Sequence, residues 1–182
     1  MHLKGSSMTT LRQMTLEDSR HIHDIDRSEL INFVYRFKNG HVEELPAGHE
    51  CPSWDVDERS EIVARFKHEL SNGGTAFGAY EADLLVGFGV LGHDFLGRTQ
   101  DQLELSLLYV SRQYRRQGIG SQIFNALCST ATERGARSLY ISATETESAV
   151  KFYSNRGSEL AMEVIEELYL KEPHDIHMEK EL

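Results

Sequence analysis

Arg115-Arg116-Gln117-Gly118-Ile119-Gly120 is the stretch of this chain best equipped for chemistry. Two guanidinium groups precede two glycines, and a helical pattern opens at once: from Gly118 to Arg134, Ile119, Ile123, Phe124, Leu127 and Ala131 fall on one face. Glycines let a backbone approach a ligand closely. The first N–H groups of a helix have no intrahelical partner and sit at the positive end of its dipole. Such a junction binds anions, and arginines beside it point to a phosphate. A second pattern, Gly87-Phe88-Gly89-Val90-Leu91-Gly92, spells G-x-G-x-x-G, but it lies in a β-prone run followed by His93-Asp94, with no helix opening on it. It reads as strand glycines where a neighbour comes close or the strand bends, not as a dinucleotide fingerprint. No G-x-x-x-x-G-K-[S/T] occurs, so a P-loop nucleotidase is unsupported.

The elements that must position this loop can be read from apolar spacing and turn chemistry. Thr10 to Met14 reads as a strand, and Thr15 caps a first helix lined by Leu16, Ile22, Ile25 and Leu30. Ile31 to Phe37 and His41 to Leu45 flank Asn39-Gly40, a hairpin signal, before Pro46, Gly48 and Pro52 break regular structure. Glu58 to Leu70 is a second helix, closed by Asn72-Gly73-Gly74. Strands follow at Thr75 to Glu81, Leu84 to His93 and Leu103 to Val110, with a polar loop from Asp94 to Gln102. After the long helix come a strand (Ser138 to Ala143), a short helix (Ser148 to Arg156) and closing strands at Glu159 to Ile165 and Asp175 to Lys180. Antiparallel strands followed by a βαβ crossover make a mixed α/β sheet. Met1 to Ser7 reads as a leader outside the fold, and residues 8–182 as a single domain with an insert at about 29–57.

Composition narrows the function classes. The chain has 182 residues, 40% of them hydrophobic and 26% charged, enough for a core without staples. A net charge of −10 argues against nucleic acid as a partner and favours cationic ones. No apolar run is long enough for a membrane span. Cys51 and Cys128 make neither a disulfide scaffold nor a thiolate zinc site, and the nine histidines form no H-E-x-x-H, so no metal is expected and a reduced, cytoplasmic protein is.

The short helix Ala149-Val150-Lys151-Phe152-Tyr153-Ser154-Asn155-Arg156-Gly157 completes a larger pattern. Strand, Arg-x-x-Gly-x-Gly, long helix, strand, then Ala-x-x-Phe-Tyr-x-x-x-Gly resembles the GNAT superfamily of acetyl-CoA-dependent N-acetyltransferases, in detail from Leu103 to Gly157 and in element order from Thr10 to Lys180. The resemblance implies a mostly antiparallel sheet flanked by helices, with acetyl-CoA held on the βαβ core. It places the CoA pyrophosphate on Arg115, Arg116, Gln117, Gly118, Ile119 and Gly120, helped by Ser121. It lays the pantetheine along Leu108, Tyr109 and Val110, where the strand splays from its neighbour. It makes Tyr153 the acid that protonates the leaving thiolate, and Glu104, eleven residues before Arg115, the general base. Thr146 and Ala149 fall on the cofactor side of the last helix. Thr146 stands where members often have asparagine, and Ser158 where an aromatic residue usually follows the helix-ending glycine.

The implied reaction is direct attack of a primary amine on the thioester in a ternary complex, with Val110 N–H polarising the carbonyl. The alternative is a non-catalytic acyl-CoA sensor or partner subunit. The acceptor is a small-molecule or peptide amine: a polyamine, an antibiotic amine, an amino acid or a protein N-terminus. The insert's carboxylates and aromatic rings suit a cation, which places the acceptor beside Tyr35 and Trp54 with Glu43 and Glu44 steering it. Otherwise the insert is a hairpin whose aromatics pack on the domain or meet a second copy in a homodimer.

Overall fold

The computed structural model describes residues 8–182; the leader reading of Met1 to Ser7 lies outside the described residues. Strands β1 (Thr10–Gln13), β4 (Thr75–Glu81), β5 (Leu84–Leu96), β6 (Gln102–Val110), β7 (Ser138–Ala143), β8 (Ser158–Leu160) and β9 (Ile176–Glu181) form one sheet in the order β1-β4-β5-β6-β7-β9-β8. Among the described residues only β6 and β7 run parallel. The crossover between them is α2 (Ile119–Glu133), as a parallel pair requires. β2 (Glu29–Lys38) and β3 (His41–Cys51) make a separate two-stranded ribbon.

Helices cover both faces. On one face lie a 3₁₀ helix (Leu16–Asp24) and α1 (Val56–Ser71), burying Ile22, Ile25 and Phe66 against Phe88, Val90 and Leu107. On the other, α2 buries its whole expected stripe against β4, β5 and β6, with α3 (Glu147–Ser154) beside it. Gly87 and Gly89 explain how α2 comes so close. A Cβ on Gly89 would stand 2.8 Å from both Ile123 Cγ2 and Leu127 Cδ1, and one on Gly87 3.1 Å from Ile119 Cγ2. The G-x-G-x-x-G text is thus a packing surface for a helix.

Four elements differ from the sequence reading. Pro46 and Gly48 lie inside β3, because the ribbon's register slips between the Ile31–His49 and Phe33–Pro46 pairs and a proline is tolerated at such an irregularity. Leu30 belongs to β2 and is exposed, and Leu16 at the start of the 3₁₀ helix is exposed too, so neither joins Ile22 and Ile25 in the expected stripe. β5 continues through Asp94 to Leu96, bulging at Gly92 to Asp94, where the buried Glu69 of α1 accepts the His93 N–H at 2.9 Å. The expected strand from Glu159 ends at Leu160, and a short helix α4 (Glu166–Lys171) follows.

Candidate functional site

The sheet opens at one place. β6 and β7 pair only through Gln102–Ser138, Leu103–Leu139 and Glu104–Tyr140; beyond these, Leu105 to Val110 have no β7 partner. A bulge at Ser106, where Leu105 and Leu107 oppose the adjacent Leu91 and Val90, re-aims β6 at that point. Arg65 of α1 clamps the bulge, donating from Nη2 to Glu104 at 2.7 Å and from Nε to Ser106 Oγ at 2.9 Å. The gap therefore runs from a closed throat at Glu104 to an open mouth at Val110, with unpaired strand backbone along it.

At the mouth, β6 runs into the glycine loop. Arg116 (φ +62°) and Gly118 (φ +84°) adopt left-handed backbone, curling the loop so that it leads into the first turn of α2. Nothing lies within 4 Å of a Cβ built on Gly118, so the space before this helix start is open. The two glycines differ in purpose. Gly120 would set a Cβ 3.1 Å from Phe152 Cε2 and 3.6 Å from Val110 Cγ2, so it serves the packing of α2 on α3, not ligand approach.

The arginines differ too. Arg116 and Gln117 are exposed at the loop. Arg115 turns inward: its Nε donates to Val110 O at 2.9 Å and its Nη2 to Arg27 O at 2.9 Å, tying the end of β6 to the chain before β2. A cation that the sequence pattern missed, Arg156, stacks on the Phe152 ring at 3.7 Å and donates to Ser121 Oγ at the start of α2. Thr146 caps α3, its hydroxyl accepting from Ala149 N–H at 3.4 Å, so its oxygen is engaged with the helix.

Residues on the two sides of the gap belong to different faces. Tyr153 packs with the α2 cluster and is nearly sealed; burial pushes its phenol well above the ordinary range, and the charge of Asp175 adds to that. Glu104 faces α1. Burial raises its carboxyl, while Arg65 pulls the other way. Tyr109, on the α1 side, stands edge-on to the buried Trp54 at 4.8 Å. On β7, Tyr140 donates to His177 Nδ1 at 2.8 Å and accepts from Ile165 N–H at 3.2 Å, which ties the approach to α4 onto this face.

The ribbon does not bring Tyr35 and Trp54 together. Tyr35 leans on the α2 cluster and Trp54 lies in the α1 cluster. Tyr35 N–H donates to Glu145 O at 2.6 Å and its hydroxyl to Glu44 at 2.8 Å, while Glu43 pairs with Arg36 at 3.2 Å. Among the described residues no group of three His, Cys, Asp or Glu is arranged to hold a metal, and no helix is long and apolar enough to cross a membrane. A surface cavity of about 440 Å³ lined by Arg12, Asp18 and Tyr80 lies at the β1–β4 edge of the sheet, away from the gap, where Arg12 and Asp18 already satisfy one another.

The fold that carries this gap and loop matches that of known proteins. The sequence model described as the acetyltransferase (GNAT) family matches residues 35–157. The chain belongs to the GNAT acetyltransferase family. The comparison with curated proteins returned no match. Among solved structures, nourseothricin acetyltransferase superposes with a TM-score of 0.71 at 20% identity, covering 95% of this chain and 98% of that one. A PaiA N-acetyltransferase from Thermoplasma acidophilum, solved with coenzyme A, gives 0.64 at 15% identity over 96% and 99%. A Bacillus anthracis structure with acetyl coenzyme A, provisionally named streptothricin acetyltransferase, gives 0.65 at 16% over 98% and 99%. These likenesses establish the GNAT fold along nearly the whole chain.

Proposed function

We propose that this GNAT domain transfers an acetyl group from acetyl-CoA to a primary amine on a small cationic molecule in the cytoplasm. The observation that carries the reading is the gap between β6 and β7, which ends on an open, left-handed loop at a helix start. The residues present fit the co-substrate. Loop N–H groups from Arg116 to Gly120 and the start of α2 hold the pyrophosphate, with Arg116 and Arg156 supplying charge beside Ser121. The unpaired edge of β6, Leu108 to Val110, receives the pantetheine amides, and the N–H of Val110 lies on this strand edge to polarise the thioester carbonyl. Acetyl-CoA supplies an activated acyl carbon and a thiolate leaving group.

Tyr153, reached from the α2 face, gives its proton to the departing sulfur. Its raised pKa keeps it protonated across the working pH range, as an acid must be. An ammonium is not a nucleophile, so a carboxylate on the α1 face first takes one of its protons. Glu104 is engaged with Arg65; its part is to fix the bulge that opens the gap. Tyr109, backed edge-on by the buried Trp54, offers an aromatic ring on that face, which suits a cationic chain. Nourseothricin and streptothricin, named in two of the related structures, are therefore acceptors to try first.

The test is a panel of amines (nourseothricin, spermidine, lysine and an alanine-initiated peptide) with thiol release from acetyl-CoA followed continuously. Release that depends on a cationic amine supports the reading. Tight binding of acetyl-CoA with no release for any amine overturns it in favour of a non-catalytic sensor.

A further inference from the structure

Asp175 stands at the mouth of the gap with no hydrogen bond or ion pair to its carboxylate among the described residues. It precedes Ile176, which pairs with Ala143, the last residue of β7. Asp175 lies in the bend that leads into β9, and the charge of Arg65 on α1 acts on its carboxyl, which puts it toward the α1 side; His177, two residues on, bonds Tyr140 on that same face. Ser142, the register partner of His177, lies between them on that face, and its Oγ is buried without a partner. Ser142 lies opposite His177, and Asp175 sits two residues before His177 in the bend leading into β9, so both border the end of β7 beside the gap. A buried hydroxyl and a half-buried carboxylate, both unsatisfied and both beside the gap, mark where a polar group of a ligand is missing.

We infer that Asp175 takes the proton from the acceptor ammonium, with Ser142 Oγ helping to seat the nitrogen, and that the acceptor is an alkylammonium reaching the gap from the α1 face. This rests on the acetyltransferase reading above. Asp175 reaches the reacting region from the side opposite Tyr153, close enough for its charge to raise both Tyr153 and Tyr109. The charges that face Asp175 are Glu172 in its own loop, Glu145 after β7 and Arg65 on α1, with the neutral phenols of Tyr153 and Tyr109. Burial and the two glutamates raise the carboxyl to about 7, where a base exchanges protons most effectively at neutral pH.

The step balances. One proton passes from the ammonium to Asp175, and the free lone pair forms the C–N bond as the C–S bond breaks. Tyr153 protonates the sulfur and regains a proton from the new amide nitrogen. The amide, the thiol and one proton on Asp175 remain.

The experiment compares wild type, Asp175→Asn, Asp175→Glu and Glu104→Gln, using nourseothricin and spermidine as acceptors. The readouts are kcat/KM for the amine from pH 5.5 to 9.5 and the Asp175 carboxyl shift followed by carbon-13 NMR in the free protein. Wild type should show an acid limb near pH 7 that coincides with the carboxyl titration. Asp175→Asn should lose that limb and fall about a hundredfold at pH 7.5, less at pH 9.5 where free amine is abundant, while acetyl-CoA affinity holds within about twofold. Asp175→Glu should restore part of the rate with a displaced limb, and Glu104→Gln should keep the limb in place. An active wild type whose limb survives in Asp175→Asn, or vanishes in Glu104→Gln, overturns this inference alone. A wild type inactive toward both amines, with the rest of the panel also inert, overturns the acetyltransferase reading with it.

Discussion

Replacing Arg115 with methionine separates the two roles that an arginine in this loop can play. Its guanidinium donates to Val110 O and to Arg27 O, both at 2.9 Å, and stands 3.9 Å from Glu29. Methionine keeps the apolar stem and removes both hydrogen bonds. Bonds from a charged donor contribute about 1.5–3 kcal/mol each. The side chain is 30% exposed, so water replaces part of what is lost, and the low end applies. The long contact to Glu29 adds little at this exposure. A loss of about 2–3 kcal/mol should lower the melting temperature by about 5–10 °C in a chain of this length. Acetyl-CoA affinity should change by less than about threefold, because the group faces the protein. The matched Arg116→Met should do the reverse, leaving the melting temperature within about a degree and weakening acetyl-CoA several-fold. Differential scanning fluorimetry and calorimetric titration on both variants decide it. An Arg115→Met protein that melts like wild type yet fails to bind acetyl-CoA would show that the inward hydrogen bonds are not the side chain's purpose.

Further expectations follow from the same geometry. Gly118→Asp, which places a carboxylate in open space before the helix start, should weaken acetyl-CoA more than tenfold by calorimetry while the protein stays folded. Gly120→Val should instead show its damage as a lowered melting temperature, because its side chain meets Phe152 and Val110 and such overpacking costs about 1–3 kcal/mol. Tyr153→Phe should reduce kcat by about 10²–10⁴-fold with little change in the KM for acetyl-CoA, measured by thiol release at saturating amine. Asp175→Asn should stabilise the fold, and more so at alkaline pH. A carboxyl raised from 3.8 to about 7 makes the folded state hold its proton longer, so wild-type stability falls as pH rises through that window, and the amide removes the effect. Melting curves at pH 5 and pH 8 check the sign: the variant's advantage should be small at pH 5 and clear at pH 8.

How far the site was legible depended on whether its signal was local. The stripe of α2 and the glycine loop were readable because a helix period and a turn carry their own pattern, and all five stripe residues are buried as expected. The glycines of β5 were readable as a close approach or a bend, and the structure decides for the approach of Ile123 and Leu127, a partner no local pattern names. The ribbon's length was hidden by Pro46 and Gly48, whose local preference yields to an irregular register. α4 was hidden because its apolar residues Tyr169 and Leu170 stay exposed and only Leu168 is buried, so no stripe marks it. Arg65, Ser142 and Asp175 carry no motif at all. They become a site only when α1, β7 and β9 are folded against one another. Arg156 had a weak signal, a cation directly before the helix-ending glycine, whose use depends on Phe152 and Ser121 lying beside it.

The central claim is that the gap between β6 and β7 and the loop at its mouth hold acetyl-CoA. Amide hydrogen exchange with and without acetyl-CoA tests it most directly, because the edge of β6 has unpaired backbone groups that a ligand must cover. Protection should appear at Leu108 and Val110, whose N–H groups point away from β5, and from Arg116 to Ser121, with the Asn39-Gly40 turn of the ribbon unchanged. Saturating acetyl-CoA that leaves those amides exchanging as before, or that protects only the cavity around Arg12, Asp18 and Tyr80, would contradict it.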